Sequence, residues 1–199
     1  MRTKAVSFFI VLSILFFLSY LMLFVSTPET VRALTAEDHL YENTQAVGDL
    51  FASILFLLLF IKGKFGNDFH ILKTKKNVFF LFLAILFLFG FGEEISWGQR
   101  IFHWQTPAHL AQINVQDETN IHNLEIFNNV DLQGNHKLFL AEFLDFNRIY
   151  SIFWFTFCFV IPILDKSFVG FSKWVRRLNL PIVPIWMGVL FPLNYLVYK

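Results

Sequence analysis

Long apolar runs alternate with short polar stretches along this chain, and the runs have the length of membrane-crossing helices. A spanning helix takes about 20 mainly apolar residues, because the hydrocarbon layer is roughly 30 Å thick and a helix rises about 1.5 Å per residue. The pattern predicts five such helices, at residues 5–25, 46–61, 77–97, 149–164 and 181–197. The first follows Arg2 and Lys4, as a secretory signal does. It exceeds an h-region and lacks a small-x-small site close behind, so it reads as a retained helix, with a cleaved signal as the alternative. Thr35 followed by Asp38 resembles a capping box and starts the second helix well before Ala46. The fourth is short unless it begins near Lys137. Pro181 suits a helix start, whereas Pro184 and Pro192 should bend the fifth. The one long interruption, residues 98–136, holds Thr106-Pro107 as a helix start and Asn128-Asn129 with Gly134-Asn135 as turns. Its interleaved Phe102, Trp104, Ile113, Ile121, Leu124 and Phe127 suit packing onto a membrane surface. The expected fold is all-α, a polytopic transmembrane bundle of about five spans in a single domain covering residues 1–199. A polar outside loop joins spans 3 and 4.

Composition supports that reading. Hydrophobic residues make up 56% of the 199, charged residues only 16%, and 28 are Phe. A soluble domain carries roughly 25% charged residues, so both a soluble enzyme and a disordered chain are excluded. The single Cys158 rules out an intramolecular disulfide framework and any cysteine-built zinc ribbon. A net charge of +1 gives no electrostatic footprint for nucleic acid. Lys and Arg tend to stay on the cytoplasmic side. With the N-terminus inside, eleven of the 16 fall in cytoplasmic segments and every inside segment is richer than its outside neighbours. This predicts an inner-membrane protein with a cytoplasmic N-terminus and an outside C-terminus. The lipid bilayer is then the first partner.

Four polar stretches break the apolar pattern. Asp38, Glu42, Gln45 and Asp49 recur at helical spacing and form one stripe down the second helix. A charge at bilayer centre costs roughly 2.5–3.5 kcal/mol on insertion scales, so Asp49 should point into the bundle and have a partner, or be protonated. Next, Glu93 and Glu94 sit at the C-terminal end of the third helix, where exposed carbonyls already carry partial negative charge. At least one of the pair should have a raised pKa unless a cation compensates, for which Arg100 or a metal ion would serve. Glu93, Trp97 and Arg100 share a face if that helix continues. Third, Glu118, His122 and Glu125 share a face if helical, a spacing that lets carboxylate and imidazole converge on a metal. Last, Glu142, Asp145 and Arg148 open the fourth span, where acid and base can pair. The topology places all four stretches at the outer face. The expected catalytic set is Glu93, Glu94, Arg100 and His122. The expected metal ligands are Glu42, Glu94, Glu118 and His122, with Asp38, Asp49, Glu142 and Asp145 as a supporting cluster. Carboxylate-plus-imidazole ligation suits Zn, Fe or Mn.

The run Gly92-Glu93-Glu94-Ile95-Ser96-Trp97-Gly98-Gln99-Arg100, then Thr106-Pro107, Asn114-Val115-Gln116, Glu118 and His122-Asn123-Leu124, resembles a pattern in uncharacterised bacterial multi-pass membrane proteins. The resemblance implies a bacterial membrane setting and attaches no activity. CAAX-type intramembrane proteases also carry paired glutamates, but with an arginine four residues after the second; Arg100 is six after Glu94. Three functions stay open on the residues alone. One is an outer-leaflet enzyme acting on a lipid or membrane-embedded substrate, with Glu93 or Glu94 as acid/base or ligand, His122 as base or ligand, and Arg100 holding an anionic group. Another is a transporter or proton/cation pathway through Asp49 and the Glu pair. The inner parts of the spans, Ile54 to Ile61 and Val78 to Phe89, lack ionisable residues and count against it. The remaining one is a non-catalytic subunit or scaffold.

Overall fold

A computed structural model describes residues 25–35, 40–63, 76–137, 144–185 and 188–189, with Ile14, Leu18 and Leu21. The chain divides into two compact units, residues 1–43 and 44–199. In the first unit, Ile14, Leu18, Leu21 and Val25 are helical, and the rest of the expected first span lies outside the described residues. α1 (Pro28–Thr35) follows, with Thr27 Oγ1 accepting the Thr30 backbone N–H at 3.3 Å across its first turn. Asp38 and the capping-box contact fall outside the described residues.

Among the described residues there follow α2 (Leu40–Lys62), α3 (Val78–Glu94), the one-turn α4 (Gln99–Phe102) and α5 (Ala108–Ala111), then α6 (Phe146–Phe155), α7 (Ile161–Ser167) and α8 (Val169–Leu178). Among the described residues there is no strand, only two isolated bridges, Asn114 with Leu124 and Val130 with His136. The molecule is all-α. Among the described residues two helices are long and apolar enough to cross a membrane, Glu42–Lys62 and Arg148–Ser167, the latter being α6 and α7 joined through a π-helical turn, Thr156–Val160. Phe51, Ile54, Ile61 and Ile152 on them are roughly half exposed or more. That is the reverse of a soluble core helix.

In the second unit α2 and α3 run antiparallel. Gln45 meets Glu94, Ser53 Oγ donates to the Ala84 carbonyl at 2.8 Å, and Lys76 Nζ donates to the Ile61 carbonyl. Small residues line this seam: Ala46, Ser53 and Ala84 are buried beside Leu83. Close backbones of this kind pack helices where lipid offers no hydrophobic drive. Aromatic side chains fill the rest. Phe56 stacks on Phe87 at 5.6 Å, while Phe87 meets Trp154 at 5.5 Å and Phe82 meets Phe153 at 6.4 Å. Phe89 lies beside Phe146, so α6 also runs antiparallel to α3.

Several expectations change here. The third helix stops at Glu94 rather than near Trp97, because Ser96 (φ 47°), Trp97 (φ 53°) and Gly98 (φ 92°) turn left-handed in succession. Residues 181–184 are not helical, although Ile185, Gly188 and Val189 are; the rest of the fifth expected span lies outside the described residues. Asn179 in the left-handed region ends α8 just before Pro181, and two prolines within four residues resist a new helix. Residues 118–124 are not helical and Glu125 only opens a short 3-10 turn, Glu125–Phe127, so the shared helical face of Glu118, His122 and Glu125 does not exist. The apolar pattern passed over α8, whose face is half charged.

Candidate functional site

The site begins where α3 ends. Two consecutive non-glycine residues at positive φ cost about 1–2 kcal/mol each, so something must hold them. Trp97 folds back and donates its indole Nε1–H to Glu93 Oε1 at 2.6 Å. Its ring lies against Gly92, where a Cβ would stand 2.9 Å from it, and meets Phe89 edge-on at 5.7 Å. Ser96 is fully buried and donates to Glu118 Oε2 at 3.1 Å. Gly92, Glu93, Ser96, Trp97 and Gly98 thus form one device that reverses the chain.

The loop that follows α4 then folds back over that turn. Asn114 and Leu124 form a bridge, flanked by Val115 N–H to the Asn123 carbonyl at 2.9 Å and Glu125 N–H to the Ile113 carbonyl at 2.8 Å. Asn114 Oδ1 accepts the backbone N–H of Gln116 at 2.9 Å and of Glu118 at 3.2 Å. Asn120 and Asn123 both donate to Glu118 Oε2, and Gln99 joins Thr106 Oγ1 to the Thr119 N–H. Asn114, Asn120 and Asn123 are all buried. Their amides replace the water a folded loop would otherwise need. Thr106 therefore ties down the loop instead of capping α5.

Glu93 is the meeting point of helix and loop. It is 3% exposed, and its Oε2 accepts Ile121 N–H at 2.7 Å, His122 N–H at 2.8 Å and His122 Nδ1 at 3.2 Å. An ionised carboxylate only accepts, so four convergent donors match it and compensate its place at a helix C-terminus. Arg100, the expected compensator, lies in α4 with its side chain outside the described residues. His122 is different in exposure: 31% of its side chain is open, and its ring lies 6.2 Å from that of Phe146. Because Glu93 can only accept, the proton of a neutral His122 sits on Nδ1, leaving the Nε2 lone pair for another partner.

Glu94, one residue on, faces elsewhere. Its Oε1 accepts Gln45 Nε2 at 2.8 Å. One turn further along the same seam the Asp49 carboxylate lies against α3, where a Cβ on Gly90 would stand 3.0 Å from Oδ2. Gly90 leaves room for that carboxylate. Asp145 caps α6, accepting the Arg148 backbone N–H at 3.0 Å. Glu42 lies in the first turn of α2, and Glu142 is outside the described residues.

Three of the four expected metal ligands have hydrogen-bond partners in this structure. Glu118 is bound by Ser96, Asn120 and Asn123, Glu94 by Gln45, and His122 by Glu93. Among the described residues no three His, Cys, Asp or Glu side chains group so as to hold a metal ion. Sequence reasoning also passed over Ser96, Gln99, Asn120 and Asn123 as site residues. The density of Asn in a turn-rich segment was the available signal. Compared with protein-family models, curated proteins and solved structures, the chain shows no match.

Proposed function

We propose that this chain is a multi-pass inner-membrane protein, with a cytoplasmic N-terminus and an outside C-terminus. Its external loop presents a carboxylate-oriented imidazole for general acid–base chemistry on a lipid or membrane-embedded substrate. The distribution of Lys and Arg supports the topology. The observation that carries the chemistry is the pairing of buried Glu93 with part-exposed His122 through Nδ1 at 3.2 Å. A buried acceptor fixes the ring and stabilises the imidazolium that forms when Nε2 takes a proton, as in hydrolase triads. Water or a substrate hydroxyl reaching Nε2 is deprotonated there, and the same proton then passes to the leaving group. Phe146 and Phe127, whose rings meet at 6.2 Å, give the imidazole an apolar flank suited to an acyl chain. Arg100, in the following helix, is assigned to an anionic group of the substrate.

The test is turnover of a phospholipid panel by detergent-purified protein, with products read by mass spectrometry. General acid–base groups contribute roughly 10²–10⁴-fold, so His122→Ala should lose at least about a hundredfold in rate while keeping its thermal unfolding midpoint. An unchanged rate in that variant removes the proposal.

One observation favours a second reading. Glu93 is saturated by donors, two of them backbone N–H groups of the loop, as a structural latch would be. In a pure scaffold, Glu93→Gln and His122→Ala would alter loop order or partner assembly, and no lipid would be consumed.

A further inference from the structure

α8 is joined to the long α6–α7 helix by one extended residue, Phe168 (φ −126°, ψ 110°). It has a packed side and an open side. Ser172 and Val175 are buried, with Phe171 and Leu178 half-buried beside them. The open arc carries Val169, Lys173, Trp174, Arg176 and Arg177, preceded by exposed Lys166 and Phe168. At 100° per residue, Lys173, Arg176 and Arg177 fall within one third of the helix circumference, and Trp174 borders them on the packed side. Asp165 is the nearest acid in sequence.

The position of this arc is fixed. Buried Asn77 accepts the Phe79 N–H at the start of α3 and donates Nδ2 to the Asn179 carbonyl, the C-cap of α8, at 2.6 Å. One side chain therefore pins the cationic helix to the end of α3 opposite Glu93. Lys76, which donates to the last turn of α2, lies at the same end. A cleft of about 350 Å³ opens there, lined by Asn77, Phe80, Asp165, Arg176, Asn179 and Ile182 among others. Polar and apolar walls meet in it, as they do at the headgroup–acyl junction of a lipid.

We propose that α8 is an interfacial helix whose cationic arc docks anionic phospholipid at the end of the helices opposite the Glu93–His122 pair. Charge complementarity names the occupant. A cluster of Lys and Arg directly after a spanning helix, bordered by Trp, matches the anionic headgroup layer. An acidic protein would need no Trp174 or Phe168 at its rim, whereas a bilayer interface takes both.

Full-length protein in detergent is titrated with phosphatidylglycerol, phosphatidylcholine or inorganic phosphate, and bound species are counted by native mass spectrometry. Each surface cation is worth roughly a fivefold change in association. Phosphatidylglycerol should thus be retained about a hundredfold better than phosphatidylcholine, without retention of inorganic phosphate. Combined Lys173→Gln, Arg176→Gln and Arg177→Gln should abolish that preference, and so should salt near 1 M, where the screening length falls to about 3 Å. Arg176→Lys with Arg177→Lys keeps the charge and should keep the preference, which separates charge from folding. Equal retention of both lipids, phosphate competing as well as lipid, or an unchanged preference in the neutralised variant each overturns the proposal. None of these outcomes touches His122, so turnover at the opposite end is judged separately.

Discussion

Replacing Glu93 by Gln tests the latch on which both readings of the site depend. Glu93 offers two acceptor oxygens to four donors, from Trp97, Ile121 and His122. Glutamine keeps one oxygen. If that oxygen serves Ile121 and His122, its NH₂ faces the Trp97 indole N–H, donor against donor. Charge-assisted hydrogen bonds are worth roughly 1.5–3 kcal/mol and neutral ones roughly 0.5–1.5 kcal/mol. Losing the Trp97 bond and weakening the others should therefore cost about 3–5 kcal/mol in the free energy of opening the loop. Every 1.4 kcal/mol is a factor of about ten, so the Ile121 and His122 amides should exchange about a hundred to a few thousand times faster. Hydrogen–deuterium exchange of the detergent-solubilised protein, read by mass spectrometry over peptides spanning residues 119–124, measures this directly. Exchange within about threefold of the parent would show that the Glu93 hydrogen bonds do not hold the loop, and the account of the site would fail with them.

Other perturbations reach separate parts of the structure. Gly92→Ala places a Cβ 2.9 Å from the Trp97 ring; overpacking of this kind costs about 1–3 kcal/mol, and adding Trp97→Ala should recover part of the lost thermal stability in a double-mutant cycle. Gly188→Ala is harsher, because its Cβ would lie 2.2 Å from the Cys158 carbonyl oxygen; a fall in yield of folded protein is expected, and normal yield and melting would refute that approach. Ser53→Ala removes a buried donor to the Ala84 carbonyl, and about 1 kcal/mol of stability should go with it, read as the shift of a denaturation midpoint. Asp131 lies outside the long apolar helices and is held below the usual aspartate range, first by the Asn135 backbone N–H and then by the Asn135 side chain. A depressed carboxylate stabilises above its unfolded value and loses that contribution as pH falls through its folded value. The 131–135 turn should therefore loosen only in acid, seen as faster Asn135 amide exchange after correction for intrinsic rates, and protection unchanged down to about pH 2 would contradict it.

The apolar runs determined the α2, α3 and α6–α7 helices, because burial in lipid or protein demands the same uninterrupted hydrophobicity wherever the neighbours lie. The helical spacing of Gln45 and Asp49 likewise put both on one face, and α3 meets that face through Gly90 and Glu94. The sequence could not say how two adjacent glutamates divide. The left-handed turn at Ser96 and Trp97 returns the loop over Glu93 and leaves Glu94 to Gln45. Periodicity also suggested one helical face for Glu118 and His122, yet Glu118 belongs to Ser96, Asn120 and Asn123, while His122 belongs to Glu93. Helix formation is local, so it could be read along the chain. Which glutamate of the pair takes the loop and which takes Gln45 was decided by segments more than twenty residues apart, through a chain reversal that no period encodes.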